Sequence, residues 1–141
     1  MSDSAVNMTP RLREADGLAI RCAEADGVGD ETVLLLSPWP ESLFAWNTIW
    51  SRLAQSARLV AIDLPGFGQS ERRAALESPR AMGGFLLRLV DEWELGHPHL
   101  VGRGFLRVVL VRAHDERAAW HPHHAGRRRR TTSVGLTRSV E

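Results

Sequence analysis

Two short loops hold the residue types whose spacing suits chemistry. The first, residues 37–42 (Ser-Pro-Trp-Pro-Glu-Ser), follows the apolar run 33–36, and the second, residues 63–70 (Asp-Leu-Pro-Gly-Phe-Gly-Gln-Ser), follows the apolar run 59–62. Short apolar runs bounded by turn residues are typical of buried parallel strands. Because ligands of open α/β sheets bind just beyond the carboxyl ends of such strands, we expect both loops to line one substrate pocket.

Within the second loop, Asp63 could act as an acid, but an aspartate at such a turn more often accepts hydrogen bonds from it, and we expect that role. The segment Gly66-Phe67-Gly68 is not a dinucleotide-binding fingerprint, because Glu71 occupies the third glycine position. The sequence therefore predicts no bound cofactor.

Other candidate ligands are histidines at 97, 99, 121, 123 and 124 and the single cysteine, Cys22. The histidines lack cysteine partners and the helical spacing of a zinc protease, so no metal site is predicted. One cysteine excludes an internal disulfide framework, and we expect Cys22 to be a small buried apolar residue.

The elements that position these loops can be predicted from periodicity. A hairpin is expected over 11–22, turning at Asp16-Gly17, with strands over 32–36, 59–62 and from His99 onward. A helix over 42–56 would bury one face, composed of Leu43, Trp46, Trp50 and Leu53. Strands that alternate with helices predict a parallel sheet covered on both faces.

The second helix has clear end signals. Ser78 suits the N-cap and Pro79 the first helical position, and Gly96 offers a left-handed stop before Pro98. Its apolar positions recur at helical spacing: Met82, Phe85, Leu86, Leu89, Val90 and Trp93. Trp46, Trp50 and Trp93 are accordingly expected in the core.

The order and spacing of residues 34–42, 63–70 and 97–102 resemble those of an α/β-hydrolase, and more narrowly the epoxide hydrolase and haloalkane dehalogenase branch. The branch's Asp-x-Pro-Gly-x-Gly-x-Ser loop is intact at 63–70. Its His-Gly-x-Pro motif is altered, since Ser37 and Pro38 replace His and Gly while Trp39 and Pro40 match. The resemblance covers about residues 9–102 and implies the N-terminal half of that fold.

The resemblance also implies a mechanism. An Asp or Ser nucleophile attacks the substrate to form a covalent ester, and a later His activates the water that hydrolyses it. The backbone N–H of Trp39 would be one oxyanion donor. The nucleophile turn would begin at Gly102, so the nucleophile position falls on Gly104, which has no side chain, and Leu106 stands where the motif has its last glycine.

Charge divides the chain at the same place. Residues 1–102 carry 9 Arg against 14 Asp and Glu, whereas residues 103–141 carry 9 Arg against 3. All 18 basic residues are Arg, which suggests a GC-rich gene in which a frameshift near codon 103 would turn glycine codons into arginine codons. We therefore expect residues 1–102 to be the N-terminal part of an α/β-hydrolase domain and residues 103–141 an Arg-rich tail that is disordered or out of frame.

Two functions remain open. The first is a truncated or frameshifted hydrolase whose heritage is hydrolysis of an epoxide, haloalkane or ester, inactive as written because the nucleophile turn and triad are missing. The alternative is a non-enzymatic protein that binds nucleic acid or a partner through its Arg-rich tail. An uncovered sheet edge at His99 would favour self-association. The absence of a signal-like N-terminus and of any apolar run of ~20 residues predicts a cytoplasmic protein without membrane contact.

Overall fold

The computed structural model describes residues 6–37 and 41–102, which form a five-stranded mixed sheet. The strands are β1 (Arg11–Ala15), β2 (Leu18–Ala25), β3 (Thr32–Leu36), β4 (Arg58–Ile62) and β5 (His99–Val101). Their spatial order is β1-β2-β4-β3-β5. The first two pairings are antiparallel, and β3 runs parallel to both β4 and β5.

The predicted hairpin is confirmed. Asp16 and Gly17 have φ values of 50° and 76°, the left-handed pair that a tight two-residue hairpin turn requires. β2 continues past the predicted end to Ala25, because its second half, from Cys22 onward, pairs with β4, whereas β1 pairs only with the first half, up to Cys22. The hairpin is thereby joined to the parallel part of the sheet.

The two central strands agree with the predicted ranges, with β4 beginning one residue earlier, at Arg58. They are in register from Thr32 opposite Arg58 to Leu36 opposite Ile62. Parallel strands in this register end at the same edge of the sheet. The two loops singled out by their residue types therefore emerge side by side.

Helices cover both faces of the sheet, as predicted. A short 3-10 helix, Leu43–Trp46, leads into α1 (Asn47–Ala54), so the first turn of the predicted helix is tighter than an α-helix. Its start is capped by the Ser42 hydroxyl, which accepts from the Phe44 N–H. α2 (Pro79–Glu92) begins as expected, with Ser78 accepting from the Ala81 N–H.

Two apolar clusters lie on opposite faces of the sheet, because successive side chains of a strand point to opposite faces. Leu34 and Leu36 of β3 pack with α2, whereas Leu35 packs with α1. The three tryptophans expected in the core are buried, with Trp46, Trp50 and Trp93 at most 8% exposed. Leu53 is half-buried beside the α1 cluster.

The end of α2 differs from the expectation. The left-handed residue that ends the helix is Glu94, with φ 53°, and not Gly96. The N–H of Leu95 donates to Val90 O (3.0 Å) and that of Glu94 to Asp91 O (3.1 Å), which is the Schellman pattern. Gly96 is also left-handed (φ 67°), but it lies in the connection to β5. The expectation was wrong because it relied on the preference of glycine for a left-handed φ. The backbone hydrogen bonds instead end the helix two residues earlier.

Glu94→Gly is therefore expected to raise the free energy of unfolding by about 0.5–1 kcal/mol. Relief of the left-handed cost of ~1–2 kcal/mol should exceed the added entropy of glycine in the unfolded chain. Urea unfolding followed by tryptophan fluorescence measures it. Gly96→Ala is the opposing control and should destabilise, since its left-handed φ is retained. A loss of stability in Glu94→Gly would contradict the assignment.

β5 forms the edge of the sheet among the described strands, and the expected self-association through that edge stays a prediction. No helix in the described ranges is long and apolar enough to cross a bilayer. The predicted tail, including Gly104 and Leu106, lies outside the described residues.

Candidate functional site

The site begins where β3 and β4 end together. Ser37 and Asp63 are the next residues along the two strands, and both are buried, at 1% and 0% exposure. Pro38, Trp39 and Pro40 lie outside the described residues, so their expected roles in the pocket and in the oxyanion hole stay predictions. The described part of the site is therefore Ser37, the helix start at Ser42, and the loop 63–70.

Asp63 is the centre of a hydrogen-bond network. Its Oδ1 accepts from the Leu43 N–H at 2.7 Å, and its Oδ2 accepts from the Gln69 N–H at 3.0 Å. Oδ2 also accepts from Arg21 Nε at 2.7 Å. The carboxylate thus ties the segment after β3 to the loop after β4, and its expected role of bonding the turn is confirmed.

Arg21 was missed by the sequence reasoning. It lies on β2 between the buried residues Ile20 and Cys22, a position where strand alternation predicts only a polar, outward side chain. In the structure its side chain is 12% exposed and pairs with a fully buried carboxylate. No sequence signal marks this contact, because 42 residues separate the two partners.

The remaining residues of the loop shape it around Asp63. Gly66 and Gly68 have left-handed φ values of 82° and 49°, and a Cβ on Gly68 would lie 2.1 Å from Asp63 Oδ2. Ser70 Oγ donates to Asp63 O (2.5 Å) and accepts from the Arg21 N–H (2.9 Å). Asp63, Gly66, Gly68 and Ser70 of the predicted motif therefore each have a physical role in closing the turn.

Ser37 is the polar group that the network leaves out. Its Oγ is buried and has no hydrogen-bond partner within the described ranges. A buried hydroxyl without a partner costs about 1–3 kcal/mol. Since Leu35 faces the α1 cluster, strand alternation directs Ser37 to the same face of the sheet.

A small cavity of about 200 Å³ lies beside the loop, between it and the start of α2. Its lining includes Phe67, Leu76, Met82, Arg72 and Arg73. Both arginines are engaged, Arg72 with Glu77 and Arg73 with Asp16. The cavity is below the ~300 Å³ of ordinary small-molecule sites.

Cys22 and His99 are two other candidate side chains whose surroundings the structure describes. Burial raises the pKa of the Cys22 thiol to about 11, so the thiol stays protonated and unreactive at neutral pH. His99 Nε2 lies 2.7 Å from Glu31 Oε2, a contact that joins the starts of β5 and β3. Within residues 6–37 and 41–102 no group of three or more His, Cys, Asp or Glu side chains could hold a metal ion.

No family model matches the chain. A dihydrolipoyllysine-residue acetyltransferase component of the acetoin cleaving system of Cupriavidus necator is 38% identical over 92 residues, which is 65% of this chain and 24% of that protein. A pimeloyl-[acyl-carrier protein] methyl ester esterase of Pectobacterium carotovorum is 33% identical over 79 residues, or 52% of this chain and 31% of the esterase.

Solved structures match a larger share of the chain. Epoxide hydrolase VrEH1 from Vigna radiata is 27% identical with a TM-score of 0.64, covering 73% of this chain and 32% of that one. Haloalkane dehalogenase DatA from Agrobacterium tumefaciens is 26% identical with a TM-score of 0.57, covering 67% and 32%. The chain thus spans about a quarter to a third of the length of the proteins it matches.

A mixed sheet with helices on both faces and a site at the ends of its parallel strands defines an open α/β protein. The structural neighbours narrow this class. The chain belongs to the α/β-hydrolase superfamily, and its described residues match part of that fold.

Proposed function

We propose that residues 6–102 form one wall of a hydrolase active site that acts on an epoxide, haloalkane or ester through a covalent ester intermediate. The observation that carries this proposal is the buried Asp63 carboxylate, which binds the N–H groups of Leu43 and Gln69 and so joins the two loops at the strand ends. The epoxide hydrolase, the dehalogenase and the esterase among the matched proteins support the reaction class.

In this mechanism residues 6–102 position the substrate and stabilise the charge that develops on it, and they do not supply the nucleophile. Hydrolysis of the ester intermediate places negative charge on its carbonyl oxygen, and preorganised N–H donors stabilise that charge. Trp39 follows Ser37 by two residues, and its N–H is the donor that the family resemblance implies. The Asp63 network supports this role because it holds the exit of the same loop, at Leu43.

We further propose that the chain as written has no hydrolase turnover. The position that the resemblance assigns to the nucleophile is Gly104, and no covalent ester can form on glycine. A shift of reading frame near codon 103 explains both this residue and the abrupt change to Arg-rich sequence. The identity of the bond that a restored enzyme would cleave depends on residues after this point.

The expected result is no steady turnover of an epoxide, a haloalkane or an aryl ester, and no gain in protein mass after incubation. Product analysis and intact-mass spectrometry of the purified whole chain measure both. Substitution of His121 or His123 is the control for unforeseen catalysis by the tail. Turnover that is lost on either substitution would contradict the proposed inactivity.

The reading-frame hypothesis has a separate test. Sequencing the encoding DNA across codons 95–141 and beyond should reveal that a one-base shift near codon 103 restores Gly-x-Asp/Ser-x-Gly followed by alternating strand and helix patterns. If no frame continues the fold, the Arg-rich tail belongs to the protein. Binding through that tail, tested by salt-dependent association with DNA or RNA, then becomes the function to pursue.

A further inference from the structure

Arg21 contacts two segments near the ends of β3 and β4, the loop 63–70 and the start of the 3-10 helix at Phe44. Its Nε donates to Asp63 Oδ2 at 2.7 Å, and its guanidinium carbon lies 5.4 Å from the centroid of the Phe44 ring. Its backbone N–H donates to Ser70 Oγ, and its carbonyl accepts from the Asp63 N–H at 3.0 Å. One residue of the antiparallel strand β2 therefore touches the loop 63–70 and the helix start that follows the loop 37–42.

The two carboxylate oxygens of Asp63 accept hydrogen bonds from different segments. Oδ1 accepts only from Leu43 among the described residues, while Oδ2 accepts from Arg21 and Gln69. Arg21 Nε and the Gln69 N–H fix the position of Oδ2, and because a carboxylate is a rigid planar group, fixing Oδ2 also fixes the position of Oδ1. The hold on Leu43 therefore depends on Arg21 although the two residues share no hydrogen bond.

The Phe44 contact provides a second hold on the same segment. Leu43 and Phe44 are the first residues of the 3-10 helix that follows the loop 37–42. Phe44 is 48% exposed, so few other contacts fix its ring. A planar guanidinium can direct one N–H to a carboxylate and lie across an aromatic ring at the same time, which a lysine ammonium cannot do.

We infer that Arg21 is the positioning residue of this wall: it sets where the loop 37–42 ends, and with it the place of the expected oxyanion donor. The part that concerns the donor rests on the proposed hydrolase function. The part that concerns the loop does not, because it follows from the Asp63 and Phe44 contacts alone.

Amide hydrogen exchange of the whole ¹⁵N-labelled chain tests the inference. Arg21→Lys keeps the charge but cannot span both contacts, and it should reduce protection of the Leu43 and Gln69 N–H groups about tenfold, the effect of losing ~1.4 kcal/mol. Protection at Leu34–Leu36 and Val60–Ile62 should be unchanged. The Phe44 ring resonances should also shift as the cation leaves the ring.

Arg13→Lys is the matched control. Arg13 also pairs with a carboxylate, Glu24, and lies over an aromatic ring, 4.4 Å from the Trp93 centroid, but its side-chain contacts with described residues do not reach either loop. Its replacement should leave Leu43 and Gln69 unaffected. Uniform loss of protection in Arg21→Lys, or equal effects in the two variants, would overturn the positioning role. The measurement needs no turnover, so inactivity of the chain neither supports nor defeats it.

Discussion

Asp63→Asn is expected to lower the free energy of unfolding by about 3 kcal/mol, because removing one partner of a buried ion pair leaves the other charge uncompensated. The carboxylate is fully buried and Arg21 is 12% exposed, so little water can replace the lost partner. The asparagine side chain would also place an NH₂ group where one of the carboxylate oxygens now accepts from a backbone N–H, so that two donors would face each other. Urea unfolding monitored by tryptophan fluorescence measures the loss.

A double-mutant cycle separates the ion pair from the turn. Arg21→Met with Asp63→Asn should cost less than the sum of the two single changes, because no buried charge then remains unpaired. Glu77→Gln is the surface control, since the Arg72–Glu77 pair has 71% and 58% of its side chains exposed, and its midpoint should not move. Additive single effects would contradict a direct Arg21–Asp63 coupling.

Gly68→Ala is expected to cost about 3 kcal/mol or more, from a left-handed backbone cost of ~1–2 kcal/mol and the displacement of Asp63 from its partners. The new Cβ would lie 2.1 Å from Asp63 Oδ2 and 2.7 Å from Oδ1. The carboxylate cannot move aside cheaply, because three donors hold it. The unfolding free energy and the amide exchange of Leu43 report the two parts of this effect.

Gly66→Ala is a matched control in the same loop. Its φ of 82° imposes the same kind of backbone strain, but the nearest atom to its Cβ would be Arg72 Cγ at 3.5 Å, an ordinary contact. The difference between the two alanine variants therefore measures the cost of crowding Asp63. Equal losses at both positions would show that strain alone, and not the packing of the carboxylate, governs this loop.

The fold does not by itself decide the substrate, since one fold supports many reactions. The matched proteins include an epoxide hydrolase, a haloalkane dehalogenase and an ester hydrolase, whose substrates differ. What these proteins share with the chain is the scaffold and not the chemistry of a particular leaving group. We therefore expect position 104 and the residues after it to decide whether the protein retains hydrolase activity.

Most of the local structure could be predicted because it depends on neighbours in sequence. Asp16-Gly17 supplies the left-handed turn, the apolar runs form β3 and β4, and Ser78 with Pro79 starts α2. Asp63 could be identified as a turn acceptor for the same reason, since its bond to Gln69 spans six residues. Helical and strand periodicity also located the buried tryptophans.

The sequence by itself thus determined the elements, the two loops and the superfamily pattern. Only the tertiary structure decided that β4 lies between β2 and β3, which brings Arg21 to Asp63, and that Glu94, not Gly96, is the left-handed residue that follows α2. The physical reason is that a charge partner depends on which distant groups the packed chain brings within hydrogen-bond distance, and a helix stop on which backbone N–H and C=O groups come within that distance at the helix end. Periodicity and residue preference carry no information about such distances.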